Sequence, residues 1–261
     1  MNISILHKKA LICGSSQGIG LAIAKELALL GADCTLMARN EVALQEAIKN
    51  LDTSQKQQHQ YLVADFSNPE NVREVISLFA VNQAIEILVN NTGGPPSGPV
   101  TEAEERAFLQ AFNQHLICNH ILVKALLPGM KEKKYGRIIN IISTSVKIPL
   151  PNLGVSNTIR GAVASWSKTM ANELGCFNIT VNNILPGATQ TQRLESIIKN
   201  NATKKSIPET EIEHEMLSHI PMKRFGLPEE IASVAAFLAT PAASYVNGVS
   251  IAVDGGRTGS L

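Results

Sequence analysis

Short apolar runs alternate along the chain with longer segments whose apolar residues recur at helical spacing. Ala10–Cys13, Asp33–Ala38, Tyr61–Ala64, Ile85–Val89, Arg137–Ile142 and Ile179–Ile184 read as strands. Several are apolar almost throughout, the pattern of strands covered on both faces in a parallel sheet. Between them, Ile19–Leu30, Glu41–Asn50, Pro69–Ala80, Glu102–Lys131 and Val155–Leu174 carry helical spacing. Thr53–Gln60 is polar and predicts an exposed loop. Gln192–His219 is polar and charged with helical tendency. Ile220–Ala239 holds a proline-led helix, and Tyr245–Asp254 predicts a last strand. Strand–helix alternation over the whole length predicts an α/β fold with a parallel sheet. The chain has 261 residues and no repeat or low-complexity linker, so one domain is expected over 1–261.

Composition narrows the partners. The formal net charge is +1, which gives no field for binding nucleic acid or an anionic membrane in bulk. No apolar run is long enough to span a bilayer, and the first residues lack the charged and apolar regions of a signal peptide. A cytoplasmic protein acting on a small molecule is the expectation, with no nucleic-acid and no membrane partner. The four cysteines, Cys13, Cys34, Cys118 and Cys176, are scattered, with no zinc-like spacing. They read as small hydrophobes in a reducing compartment, and no metal is expected.

The stretch Lys9–Leu30 carries the first chemistry. An apolar strand is followed by Gly14, Gly18 and Gly20, and then by a helix. Gly14 suits a tight turn, Gly18 a close approach of pyrophosphate to backbone, and Gly20 close packing of helix on sheet. The free N–H groups at the start of that helix would face phosphates. The spacing is G-x-x-x-G-x-G, and an ordinary strand-to-helix turn is the alternative. At the end of the second strand stands Arg39, with no carboxylate before Glu41. A guanidinium suits a 2′-phosphate, which favours NADP(H) over NAD(H); a solvated arginine opening a helix is the other reading.

With these residues the chain resembles the short-chain dehydrogenase/reductase family, in particular its 3-oxoacyl-carrier-protein-reductase-like branch, from Lys9 to Gly256. The resemblance implies a Rossmann-type doubly wound parallel sheet flanked by helices in three layers, and an oxidoreductase. It implies a cofactor loop of Gly14, Ser15, Ser16, Gln17, Gly18, Ile19 and Gly20. Asp65 and Phe66 would border the adenine, although Asp65, Ser67 or Asn68 could instead cap a helix. Asn90-Asn91-Thr92-Gly93 is similar to the family's N-N-A-G, with Asn91, Thr92 and Gly93 at the cofactor and Asn90 tying strands together. Asn182 to Gly187 matches N-x-x-x-P-G, so Pro186, Gly187 and, four residues on, Thr191 are expected at the nicotinamide end. Residues 192–219 would be a lid over the substrate, or an ordinary surface insertion. A homo-oligomer, tetramer or dimer, is the family's usual assembly.

The pattern breaks at the chemistry. The family's serine aligns with Ser143. Its tyrosine position holds Ser156, its lysine position Arg160, and its asparagine position His115, with Asn113 two residues away. No Tyr-x-x-x-Lys occurs anywhere in the chain. A serine hydroxyl is a far weaker acid than a phenol, and a guanidinium does not shuttle protons. Arg160 can still bond ribose hydroxyls or clamp a carboxylate. His115 could supply a proton near neutrality, or be a helix residue touching nothing. Three readings stay open: an NADP(H) oxidoreductase with a rearranged site that reduces conjugated enones, a carbonyl reductase using Ser143, Ser156 and a water or His115, and a non-catalytic NADP(H)-binding subunit or sensor.

Overall fold

The alternation of side chains along the central strands builds two cores at once. In β1 (Lys9–Cys13), Ala10 and Ile12 point to one face while Leu11 and Cys13 point to the other. The computed structural model describes residues 1–260. β1 pairs with β2 (Asp33–Ala38) and β4 (Ile87–Asn90), and the sheet extends through β3 (Gln60–Val63), β5 (Gly136–Ile141), β6 (Ile179–Pro186) and β7 (Ser250–Val253). The order is β3-β2-β1-β4-β5-β6-β7, every pair parallel. This is the expected doubly wound α/β sandwich.

One face is covered by α1 (Gly18–Leu29), α2 (Glu41–Lys49) and the alanine-rich α9 (Pro228–Ala239). The other is covered by α3 (Pro69–Ala80), α5 (Cys118–Lys133) and α6 (Gly154–Leu174). α4 (Glu105–Phe112) runs into α5 through a π-helical turn at Asn113–Ile117. The periodicity expected one helix over Glu102–Lys131; the chain instead starts it at Glu105, inserts one wide turn at Asn113–Ile117 and ends it at Lys133. α7 (Gln192–Lys205) and α8 (Glu209–Ser218) stand apart, with a small core of their own from Leu194, Ile198, Ala202 and Ile212.

Several strand boundaries differ from the pattern, among them those of β6 and β7. β6 continues to Pro186, two residues past the apolar run. β7 begins only at Ser250, because Gly248 has a φ of +71° and breaks the extended run that starts at Tyr245. Asn68, not Asp65, caps α3: its side chain accepts from the N–H groups of Glu70 and Asn71.

A ladder of buried amides crosses the sheet near the carboxyl ends of its strands. Asn90 donates to Asn140 (2.8 Å), Asn140 to Asn183 (3.1 Å), and Asn183 to the Ser250 hydroxyl (3.1 Å). These residues are also register partners, so side chains repeat the pairing that the backbone makes. The expectation that Asn90 ties strands together holds.

The tightest joint lies between β1 and α1. A Cβ on Gly20 would stand 2.2 Å from the Gly14 carbonyl oxygen. Backbone cannot yield as a flexible side chain does. Gly20→Ala should therefore destabilise the fold by about 3 kcal/mol, read as a lowered midpoint in urea unfolding.

Candidate active site

The carboxyl ends of β1, β4, β5 and β6 and the amino ends of α1 and α7 enclose a cleft of about 980 Å³. Ligands of open α/β sheets bind at such strand ends. The chain turns from β1 into α1 at Gly14, whose φ is +58°, and its N–H donates to Met37 O at 2.8 Å. Asn91 closes the joint from β4: its side-chain amide donates to the carbonyls of Cys13 and Gly14. α1 then begins with no side-chain cap and no acidic residue in its first turn. Its first N–H groups and positive dipole end are left for an anion.

Most residues singled out by sequence meet here. Gly14, Ser16, Gln17, Gly18, Ile19, Arg39, Asp65 and Phe66 line one arm of the cleft. Asn91, Thr92, Gly93, Ser143, Ser156, Arg160, Pro186, Gly187 and Thr191 line the rest. Nothing lies within 4 Å of where a Cβ on Gly93 would stand, so the floor is open there. Thr191 caps α7, accepting from Leu194 N–H, and its methyl lies 3.4 Å from a Cβ placed on Gly18. The two helix starts thus face each other across the cleft. Arg39 is exposed and bonds to no carboxylate among the described residues. It helps hold the Asp65 carboxyl below its usual range, after the hydrogen bonds from Ser67 that do most of this.

Three expected residues do not line the cleft. Ser15 is buried; its hydroxyl donates to Ile12 O (2.7 Å) and accepts from Met37 N–H (3.1 Å), stapling β1 to β2. Gly20 faces the Gly14 carbonyl, a packing role. His115 lies on the π-helical turn and is buried beneath the β4 loop, its Nδ1 paired with the Thr92 hydroxyl and its Nε2 without a partner. Asn113 is exposed, so of the two it is His115 that turns inward.

That burial overturns the expectation of a proton donor at neutral pH. Desolvation, and then the positive charges of Arg160 and Arg193, push the His115 imidazole down to about 2. It is neutral at pH 7 and holds Thr92 in place. Arg160 stands one helical turn after Ser156 on α6, so both face the cleft. The guanidinium is buried, donating to Ile141 O (3.0 Å) and, at 3.5 Å, to Thr92 O. Burial, and then Arg193, lower its pKa to about 10, which leaves it charged at pH 7. Ser143 Oγ accepts from Ser145 N–H (3.1 Å), leaving its own proton to donate into the cleft.

Residues 14–258 match the family model described as enoyl-(acyl carrier protein) reductase. The chain belongs to the short-chain dehydrogenase/reductase family. It is 30% identical over 256 residues to the NADPH-dependent reductase BacG of Bacillus subtilis, covering 97% of this chain and 99% of that one. It is 32% identical over 252 residues to the 3-oxoacyl-[acyl-carrier-protein] reductase FabG of Vibrio cholerae, covering 95% and 96%. Among solved structures, it superposes on YwfH, an NADPH-dependent reductase involved in bacilysin biosynthesis, with a TM-score of 0.92, 30% identity and coverage of 98% and 100%. The L-sorbose reductase of Gluconobacter frateurii, complexed with NADPH and L-sorbose, gives a TM-score of 0.92 at 32% identity, each chain covered completely.

Within this short-chain dehydrogenase/reductase fold, two cleft residues, Arg193 and Gln114, had no sequence signal of their own. Arg193, on the first turn of α7, reaches across to donate to Pro95 O at 2.8 Å. It sits in a polar helical stretch where a charged residue reads as solvated surface; only the fold brings it opposite Arg160. Gln114, on the π-helical turn, similarly donates to Gly93 O.

The buried neutral histidine gives a pH signature. Unfolded, His115 takes up a proton near its ordinary value of about 6.5; folded, it does so only near 2. Its contribution is fully present above about pH 6.5 and is lost progressively as pH falls toward 2. Between pH 6 and 4, urea unfolding of the native protein should lose stability more steeply than the His115→Gln variant, by up to about 1.4 kcal/mol per pH unit. Parallel slopes would place the imidazole in water.

Proposed function

We propose that the protein is an NADP(H)-dependent oxidoreductase that reduces the C=C bond of a small conjugated enone. The observation that carries this reading is the pair Ser156 and Arg160: the cleft presents hydrogen-bond donors and a fixed positive charge, and no phenol. Reducing an isolated carbonyl needs an acid at its oxygen. Adding hydride to a conjugated alkene puts negative charge on the enone oxygen, and donors aimed at that oxygen stabilise it without transferring a proton.

NADP(H) fits the residues present. The uncapped start of α1 suits a pyrophosphate, the open floor at Gly93 accepts a flat ring, and Arg39 suits a 2′-phosphate. When bound, the dinucleotide supplies the hydride. Thr191, Pro186 and Gly187 are then the residues to hold the nicotinamide end, and Asp65 and Phe66 the adenine end. Ser143 and Ser156 orient the substrate oxygen with their hydroxyls. Arg160 adds a charge that persists at neutral pH. With His115 neutral, the proton that completes the reaction comes from water. α7 and α8, with their separate small core, support a lid over residues 192–219 that excludes bulk water around the donors.

The same relatives support the reading: the matched family model is described as an enoyl reductase, and BacG is NADPH-dependent. Fluorescence titration should show NADPH bound more tightly than NADH. Arg39→Ala should weaken NADPH about ten- to a hundred-fold and spare NADH. The bound NADPH should be oxidised by a short enone at least about ten-fold faster than by the matching saturated ketone, as hydroxyl donors alone are a poor acid. Oxidation by 3-oxoacyl thioesters alone would identify a carbonyl reductase. NADPH binding without turnover of any acceptor would identify a binding subunit.

A further inference from the structure

Two guanidiniums approach one point in the cleft from different elements. Arg160 comes from α6 and Arg193 from the first turn of α7. A Cβ on Gly94 would stand 3.3 Å from Arg193 Nη2 and 3.9 Å from Arg160 Nη2. Both guanidiniums thus stand beside Gly94 in the lining of the cleft.

Neither arginine has a counter-ion. The ion pairs among the described residues involve other side chains, and Asp65 and Glu229, the acids lining the cleft, bond to neither arginine. The partners present are neutral carbonyls: Ile141 O and Thr92 O for Arg160, Pro95 O for Arg193. Arg160 is buried and Arg193 is exposed; a buried cation facing a second cation, with only carbonyls to share, is an arrangement that an anion between them would offset. His115 cannot add a competing charge, being neutral, and bonds elsewhere through Thr92. The groups suited to the phosphates of a cofactor stand elsewhere in the cleft. The start of α1 and Arg39 belong to the other arm of the cleft, whereas Gly94 belongs to the loop after β4.

We propose that Arg160 and Arg193 form a carboxylate subsite beside Gly94, so that the substrate is a short oxo or enone acid bound as its anion. A planar carboxylate matches the fork of a guanidinium, and two forks from two helices fix its orientation. The carboxylate would also tie α7 to the β4 loop, alongside the Arg193–Pro95 bond, so that the correct substrate closes its own lid. This rests on the reductase reading for the reacting bond and its oxygen, with Arg160 shared between that oxygen and the carboxylate, but not for the binding of the anion.

The test uses 4-oxopentanoate and its methyl ester, which differ only in charge at the carboxyl end. Both are titrated by calorimetry into the protein loaded with NADP⁺, where no reduction occurs. The acid should bind at least about ten-fold more tightly than the ester, and that preference should shrink as salt is raised. Arg193→Gln should bring the acid-to-ester ratio to about one, while Arg193→Lys, which keeps the charge without the fork, should keep part of it. The ratio is its own control for folding, because a collapsed cleft loses both ligands; Arg193→Lys then decides. Equal binding of acid and ester, a preference that survives Arg193→Gln, or no binding of the acid at millimolar concentration would overturn the subsite. The reductase reading fails separately, if NADPH does not bind or if no enone, charged or neutral, oxidises it.

Discussion

The close approach of Gly14, Gly20 and Asn91 is the constraint on which the cleft depends. Three backbone segments meet there with no room for a single added carbon: the turn after β1, the first turn of α1 and the end of β4. Glycine's conformational cost is outweighed because no other residue lets helix and sheet approach so closely. The joint sets the direction of α1, so its unsatisfied N–H groups face the strand ends. It also sets the height of Asn91, and through the chain the next two residues, Thr92 and Gly93. Those in turn receive Arg160 and Gln114. The packing of two glycines is thus connected, bond by bond, to the position of the buried guanidinium on the far side.

Electrostatics follow from that placement. Along the cleft positive charge stands at both arms, the start of α1 and Arg39 at one and Arg160 and Arg193 at the other, with Asp65 and Glu229 the acids of its lining. The net charge of the whole chain is only +1, so this is a local field and not a property of the surface. Burial sharpens it. The same desolvation that lowers Arg160 also keeps His115 neutral, and neutrality lets the imidazole serve as a hydrogen-bonding prop beneath Thr92. A protonated histidine there would add a third positive charge within the same small volume.

Strand and helix periodicity was enough to read the fold, because parallel strands covered on both faces are apolar almost without interruption, and the helices between them are amphipathic. β2 and α3 have the boundaries their patterns predict. The glycine turn was legible for the same reason: its residue types are dictated by backbone geometry. What spacing does not carry is the direction of a side chain. Ser15 sits between two cleft residues yet turns inward to satisfy Ile12 O and Met37 N–H. His115 could be counted to its position, but whether it met water or a threonine depended on a π-helical turn with no sequence mark. Arg193 is 33 residues from Arg160 and in another element; only the return of the chain from α6 through β6 and the short loop into α7 brings them together.

On the proposed reading, the hydroxyl of Ser156 and the guanidinium of Arg160 stand in place of a phenol and an ammonium, and the pair is chemically coherent. A lysine near a tyrosine serves to lower the phenol's pKa, and without the phenol that service has no object. Arginine keeps the positive charge but binds it more firmly: even buried and beside Arg193, Arg160 falls only to about 10. A site that needed to donate a proton would gain nothing from such a group. A site that must hold a developing negative charge, or an anion already present, gains a donor whose charge does not change over the physiological pH range and whose fork fixes direction as well as attraction. On that reading Ser156 and Arg160 belong together, since without a phenol an ammonium has no pKa to lower.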